Sequence, residues 1–157
     1  MTVYRIEPEQ RTLHGAFSPD LAPVLTIDPG DTVRFRTLDA DWNLEPRQST
    51  RYDEPPAQFT PRPPGQEQGH PLCGPVAIRG AQPGMTLAVH IASIRPGAWG
   101  FTAVGGWPHP VNTRLGVAEQ GTYLLWTLDP DALQGRNQYG QTVTLHPYHG
   151  HYGYATC

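Results

Sequence analysis

The stretch Gly69-His70-Pro71-Leu72-Cys73-Gly74-Pro75, continued by Val76 to Gly80, Ala81-Gln82-Pro83-Gly84-Met85-Thr86 and Leu87 to Ile94, decides the fold. Its opening is a rigid polar loop, because Pro71 and Pro75 fix φ and remove backbone donors. Val76 to Gly80 reads as a short strand. Pro83-Gly84 supplies a turn, with proline presetting one central φ and glycine accepting the positive one. Beyond that turn Leu87, Val89 and Ile91 alternate with Ala88, His90 and Ala92, a period of two that predicts a long strand over 86–94. His90 falls on the polar face and reads as a solvated side chain. His70, held between glycine and proline against a sheet edge, is a candidate active-site residue.

Upstream the same local pattern occurs once more. Asp28-Pro29-Gly30-Asp31 is a second Pro-Gly turn, and Thr32 to Leu38 follows it with Val33 and Phe35 on one face and Arg34 and Arg36 on the other. Thr2 to Ile6 and Val24 to Ile27 read as further short strands. Downstream, Arg95-Pro96-Gly97-Ala98 turns into the aromatic run Trp99-Gly100-Phe101. Gly105 to Pro110 is a rigid loop carrying Trp107, and Tyr123 to Leu128 and Gln141 to His146 close the set of strands. Two Pro-Gly turns each feeding an amphipathic strand suggest a meander or sandwich. The expectation is an all-β protein: one β-sandwich-like domain, residues 1–157, of short strands with long irregular loops.

Bulk composition agrees with that reading. Among 157 residues there are 18 Pro and 17 Gly, which break long helices, while 38% hydrophobic residues allow a core. A net charge of −3 leaves no basic footprint, which argues against nucleic acid as a partner. All 11 basic residues are arginine, as a GC-rich genome would produce. Cys73 and Cys157 are too few for a disulfide framework. No apolar run suits a membrane span or a leader, so a cytoplasmic location is expected.

Arg47 to Gln68 is rich in Pro, Gln, Glu and Arg. It is either a lid over His70 or a structureless insertion. His146, His149 and His151 crowd the C-terminal region, where imidazoles can capture a metal adventitiously. Asp39, Asp41 and Glu45 follow the Arg-bearing strand and offer carboxylates for base or ligand chemistry, though such residues are more often solvated. Cys73 lacks a cationic neighbour in sequence and reads as a packed thiol. A blue-copper site is excluded, since neither cysteine is followed by the His and Met that such a loop needs.

Taken in order, several segments resemble the acetamidase/formamidase family. They are His14-Gly15-Ala16-Phe17-Ser18, Pro23 to Phe35, Gly69 to Ile78, Gly80 to Leu87 and Arg95 to Gly100. The resemblance implies an all-β hydrolase that splits short linear amides, of the formamide or acetamide type, into ammonia and a carboxylate. It places candidate catalytic residues at His14 and His70, and substrate-binding residues at Arg34, Trp99 and Trp107. A divalent metal, Zn or Ca, is the implied cofactor, since it could activate water and hold the oxyanion. Family members are roughly twice as long and carry Gly-Asn-Met-Asp and Gly-Asp-Gly-His segments that this sequence lacks. The expectation is therefore a truncated or split product completed by a second chain, a half-length relative that assembles from copies, or a non-catalytic β module that binds a small ligand.

Overall fold

The computed structural model describes residues 1–62, 69–150 and 153. The end of the Pro-rich loop, 63–68, and His151 and Tyr152 near the C-terminus lie outside the described residues. The fold is all-β, with ten short strands and one short helix among the described residues. Contacts divide the chain into two compact units. Met1–Leu44 and Gln58–His90 belong to the first; Glu45–Ala57 and Ile91–Gly150 form the second.

The first unit is built from three two-stranded sheets. β1 (Val3–Ile6) runs parallel to β4 (Thr32–Phe35), with Val3 opposite Thr32 and Ile6 opposite Phe35. β2 (Leu13–His14) is antiparallel to β5 (Leu72–Cys73). β3 (Leu25–Ile27) is parallel to β6 (Val76–Ile78). The predicted turn at Asp28–Asp31 forms, with Asp31 N–H donating to the Asp28 carbonyl at 3.1 Å and Gly30 at φ +89°. Asp31 then fastens the neighbouring strand, its Oδ1 accepting from Thr2 N–H at 2.7 Å. This unit buries Ile6, Leu13 and Trp42.

The second unit is a four-stranded antiparallel meander, ordered β10 (Thr142–Thr144), β9 (Gln134–Asn137), β8 (Thr122–Asp129), β7 (Trp99–Val104). Its centre is Tyr123, which meets Phe101 edge-on at 5.2 Å between centroids. Residues of the segment 45–57 pack directly on that centre. Tyr52 stacks on Tyr123 at 4.4 Å, and its hydroxyl donates to the Gly105 carbonyl at 2.8 Å. Buried Arg47 lies 3.9 Å over the Tyr123 ring, a desolvated cation–π contact. The first part of the Pro-rich loop is thus packed as a wall of the second unit's own core.

Three expectations need correction. Thr86–Ile94 forms no strand: it runs without helix, turn or bend and pairs with nothing among the described residues. Its Pro-Gly turn does form, Met85 N–H donating to Gln82 at 3.1 Å with Gly84 at φ +88°. The local signal was therefore correct, and the missing ingredient is a ladder partner. Secondly, β4 ends at Phe35, whose ring is 42% exposed, because a two-stranded sheet leaves its end uncovered. Thirdly, Pro110–Leu115 is a helix (α1) that the reading by strands passed over. Pro110 at its first turn, the His109 side chain accepting from Val111 N–H, and left-handed Gly116 at its end are its signature.

Candidate functional site

The fold brings the segments that carry two of the candidate residues together, His14 on β2 and His70 two residues before β5. Leu13 pairs with Cys73 and His14 with Leu72, so the antiparallel register carries the chain at His70 back past the chain at His14. Beyond the ladder the two backbones stay in close approach. A methyl group at Gly69 would collide with the Gly15 carbonyl oxygen, and Gly69 itself holds φ at +91°. Only glycine meets both conditions.

Each imidazole is then pinned by the same device. His14 donates from Nδ1 to the Ala16 carbonyl at 3.0 Å, and His70 donates from Nδ1 to the Ala40 carbonyl at 2.8 Å. A carbonyl can only accept, so in the uncharged ring the basic lone pair sits on Nε2. His14 is buried, whereas His70 is exposed. Burial lowers the pKa of His14 below its ordinary 6.5, with the Ala16 carbonyl opposing the shift. At neutral pH its Nε2 is a base waiting for a proton.

The carbonyl that holds His70 belongs to a turn the sequence did not reveal as such. Asp39 accepts through Oδ1 from Asp41 N–H at 2.7 Å and from Asn43 N–H at 3.3 Å, which folds residues 39–43 onto the carboxylate. Trp42 sits in that turn at φ +64°, is 1% exposed, and donates from its indole to the Gly69 carbonyl at 2.8 Å. The turn thus grips residues 69 and 70 at two points. Asp39 Oδ2 is buried and has no hydrogen-bond partner among the described residues. Burial raises the Asp39 pKa, against the lowering effect of the Asp41 and Asn43 donors. Buried Trp42 carries no sequence periodicity that marks it; the Asp-Ala-Asp-Trp-Asn spelling of a carboxylate-capped turn was the available signal.

The other candidates belong to other elements. Arg34 is exposed on the β1–β4 sheet, opposite Arg5. Trp99 and Trp107 belong to the second unit, Trp99 on β7 opposite Thr127 and Trp107 with 44% of its surface exposed. His146 and His149 are exposed. Cys73 is a half-buried thiol: burial pushes its pKa up to about 11, and Sγ lies 3.6 Å from the Arg36 carbonyl. Among the described residues no three His, Cys, Asp or Glu side chains gather as a metal-ligand set. The described side chains do not by themselves form a set that fits the implied metal. No helix among the described residues is long and apolar enough to cross a membrane.

The pH dependence of stability follows from the His14 shift. The unfolded chain takes up a proton near pH 6.5, but the folded chain resists protonation at His14 until a lower pH. Stability from this group is therefore complete above 6.5 and declines as pH falls from there through the depressed folded value. Urea unfolding at pH 7 and pH 5 is expected to show a drop that His14→Gln makes smaller. An equal drop in both proteins would contradict the assignment.

Comparison with known proteins agrees with the resemblance. A family model described as Acetamidase/Formamidase family matches residues 3–155. A Schizosaccharomyces pombe protein whose printed name is "Putative formamidase C869.04" is 30% identical over 99 residues, 61% of this chain. The aligned part is 22% of that relative, so the chain spans about a fifth of its length. No solved structure matches. With a family model covering nearly all of its residues, the chain belongs to the acetamidase/formamidase family.

Proposed function

We propose that this chain carries the water-activating part of a site that hydrolyses short linear amides, formamide or acetamide, to ammonia and a carboxylate. The observation that carries the reading is the pair of imidazoles on adjoining segments, one on β2 and one just before β5, each fixed by an Nδ1 hydrogen bond so that Nε2 is the basic atom. Family membership supplies the reaction class.

In this reading, water attacks the amide carbon while a histidine Nε2 takes its proton. The tetrahedral intermediate then expels nitrogen as the C–N bond breaks, and the same imidazolium returns the proton to make ammonia a competent leaving group. His14 suits the base role because its burial keeps it uncharged at neutral pH. His70, exposed and held by the 39–43 turn, suits contact with the incoming amide. Arg34, in the same unit as the two histidines, is the proposed substrate-binding side chain, and the remaining catalytic groups would come from a second copy or a complementary chain.

One observation favours a second reading, a non-catalytic module. Two concavities lie in the second unit, one lined by Pro108, His109 and Arg114 and another by Glu45, Pro46 and Glu54, and neither includes His14 or His70. Ammonia release from formamide and acetamide by the purified chain separates the two readings. Release above the uncatalysed rate supports hydrolysis. None, in the presence and absence of added Zn²⁺ or Ca²⁺, leaves the binding module.

A further inference from the structure

Asp39 is a carboxylate that the proposed chemistry leaves idle, yet it stands one step behind His70. Its Oδ1 accepts from Asp41 N–H at 2.7 Å, from Asn43 N–H at 3.3 Å and from the Asn43 side-chain amide at 3.2 Å. Trp42 N–H donates to the Asp39 carbonyl at 3.2 Å. Residues 39–43 are thereby wound onto one side chain. The winding puts Trp42 at φ +64°, which a bulky residue holds only where its surroundings over-determine it. Two groups leave this turn toward the histidine segment: the Ala40 carbonyl accepts from His70 Nδ1 at 2.8 Å, and the Trp42 indole donates to the Gly69 carbonyl at 2.8 Å. The receiving segment has little room to adjust. Gly69 sits at φ +91° against the Gly15 carbonyl oxygen, and Pro71 fixes φ on the other side of His70. The direction of the His70 ring therefore follows the Ala40 carbonyl, and the place of that carbonyl follows Asp39 Oδ1.

We propose that Asp39 is the positioning residue of His70: its side chain sets where the Ala40 carbonyl stands, and thereby which ring nitrogen of His70 carries the proton and where Nε2 points. This rests on the reading of His70 as the imidazole that meets the amide, and it gives Asp39 no contact with substrate. Oδ2 has no hydrogen-bond partner among the described residues, so the bonds that shape the turn run through Oδ1, an atom that asparagine also offers. Geometry, more than charge, is then what the ring feels. His14 is an internal reference, since its Nδ1 is held by the Ala16 carbonyl, outside the turn. The turn also has a second support, with Phe59 N–H donating to the Trp42 carbonyl and Gln58 Nε2 to the Asp41 carbonyl, each at 2.8 Å, so Asp39→Ala is expected to fold.

Imidazole ¹⁵N NMR of the labelled full chain at about pH 8, where an ordinary imidazole is uncharged, reads the proposal without any need for turnover. His70 is expected to keep the Nδ1-protonated form in Asp39→Asn. In Asp39→Ala it is expected to become a mixture of tautomers, and likewise in Asp39→Glu, whose extra methylene moves the carboxylate off the turn's donors. His14 is expected to match wild type in all three. In formamide hydrolysis Asp39→Ala is expected to raise KM more than it lowers kcat. The double variant Asp39→Ala/His70→Ala is expected to match His70→Ala within about 2-fold, because a residue that acts through another has nothing left to add. Unchanged His70 resonances in folded Asp39→Ala overturn the proposal; if that variant does not fold, unchanged resonances in Asp39→Glu do so. Loss of the tautomer in Asp39→Asn with its retention in Asp39→Glu also overturns it, as does His14 moving as far as His70, or a double variant clearly weaker than His70→Ala. A chain that gives the expected spectra and releases no ammonia contradicts the hydrolase reading and leaves the positioning role standing.

Discussion

Replacing Trp42 by alanine is expected to destabilise the first unit by about 3–5 kcal/mol, the usual cost of truncating a fully buried large aromatic. Such a loss takes a large part of the roughly 5–15 kcal/mol that a small domain commands. Trp42 is 1% exposed, and its indole ties the 39–43 turn to the Gly69 carbonyl at 2.8 Å. It also lies beside Phe59 at 6.4 Å and beneath the Arg62 guanidinium at 5.0 Å. Trp42→Phe isolates the hydrogen bond: it keeps most of the packing and leaves the Gly69 oxygen without its donor, at about 1–3 kcal/mol. Urea unfolding followed by tryptophan-independent circular dichroism measures both. The ordering wild type, Phe, Ala is the expected result, and a Trp42→Ala protein as stable as wild type contradicts the packing described.

The second large effect concerns chemistry. If His14 Nε2 accepts the proton of the attacking water, His14→Ala is expected to lower kcat for formamide hydrolysis by about 10²–10⁴-fold, the range of positioned acid–base groups. His70→Ala is expected to raise KM more than it lowers kcat, because that ring is exposed and reads as the substrate-contacting member of the pair. Added imidazole should restore part of the His14→Ala rate, which a purely structural histidine would not permit. Equal, unrescued losses in both variants, accompanied by altered circular dichroism, would assign the pair a folding role instead.

How much of this was legible depends on whether a feature is local. Both Pro-Gly turns could be read because proline and glycine impose their dihedral angles on the residues beside them, and both form with glycine at positive φ. The strands that follow could not be read to the same degree. Thr32–Phe35 and Thr86–Ile94 carry the same alternation, yet among the described residues only the first has a partner strand, and pairing is a property of two segments. His14 and His70 were legible as residues through the family resemblance. The close approach of the segments that carry them was not, since it comes from the Leu13–Cys73 register across a long separation in sequence. Trp42 escaped because it lies in a turn with φ at +64°, where neither helical nor strand periodicity applies. The part played by Arg47 was hidden for a different reason: a charged residue in a Pro-rich run reads as solvated, and only the aromatic cluster of Phe101 and Tyr123 makes its burial tolerable.

The account turns on two imidazoles that present Nε2 as the basic atom to an amide. Imidazole ¹⁵N NMR of the labelled chain, with formamide titrated at neutral pH, reads this directly. The predicted result is the Nδ1-protonated form in the uncharged rings of both His14 and His70, with both Nε2 resonances moving as formamide is added. An Nε2-protonated tautomer at either ring, or resonances indifferent to formamide, would contradict it.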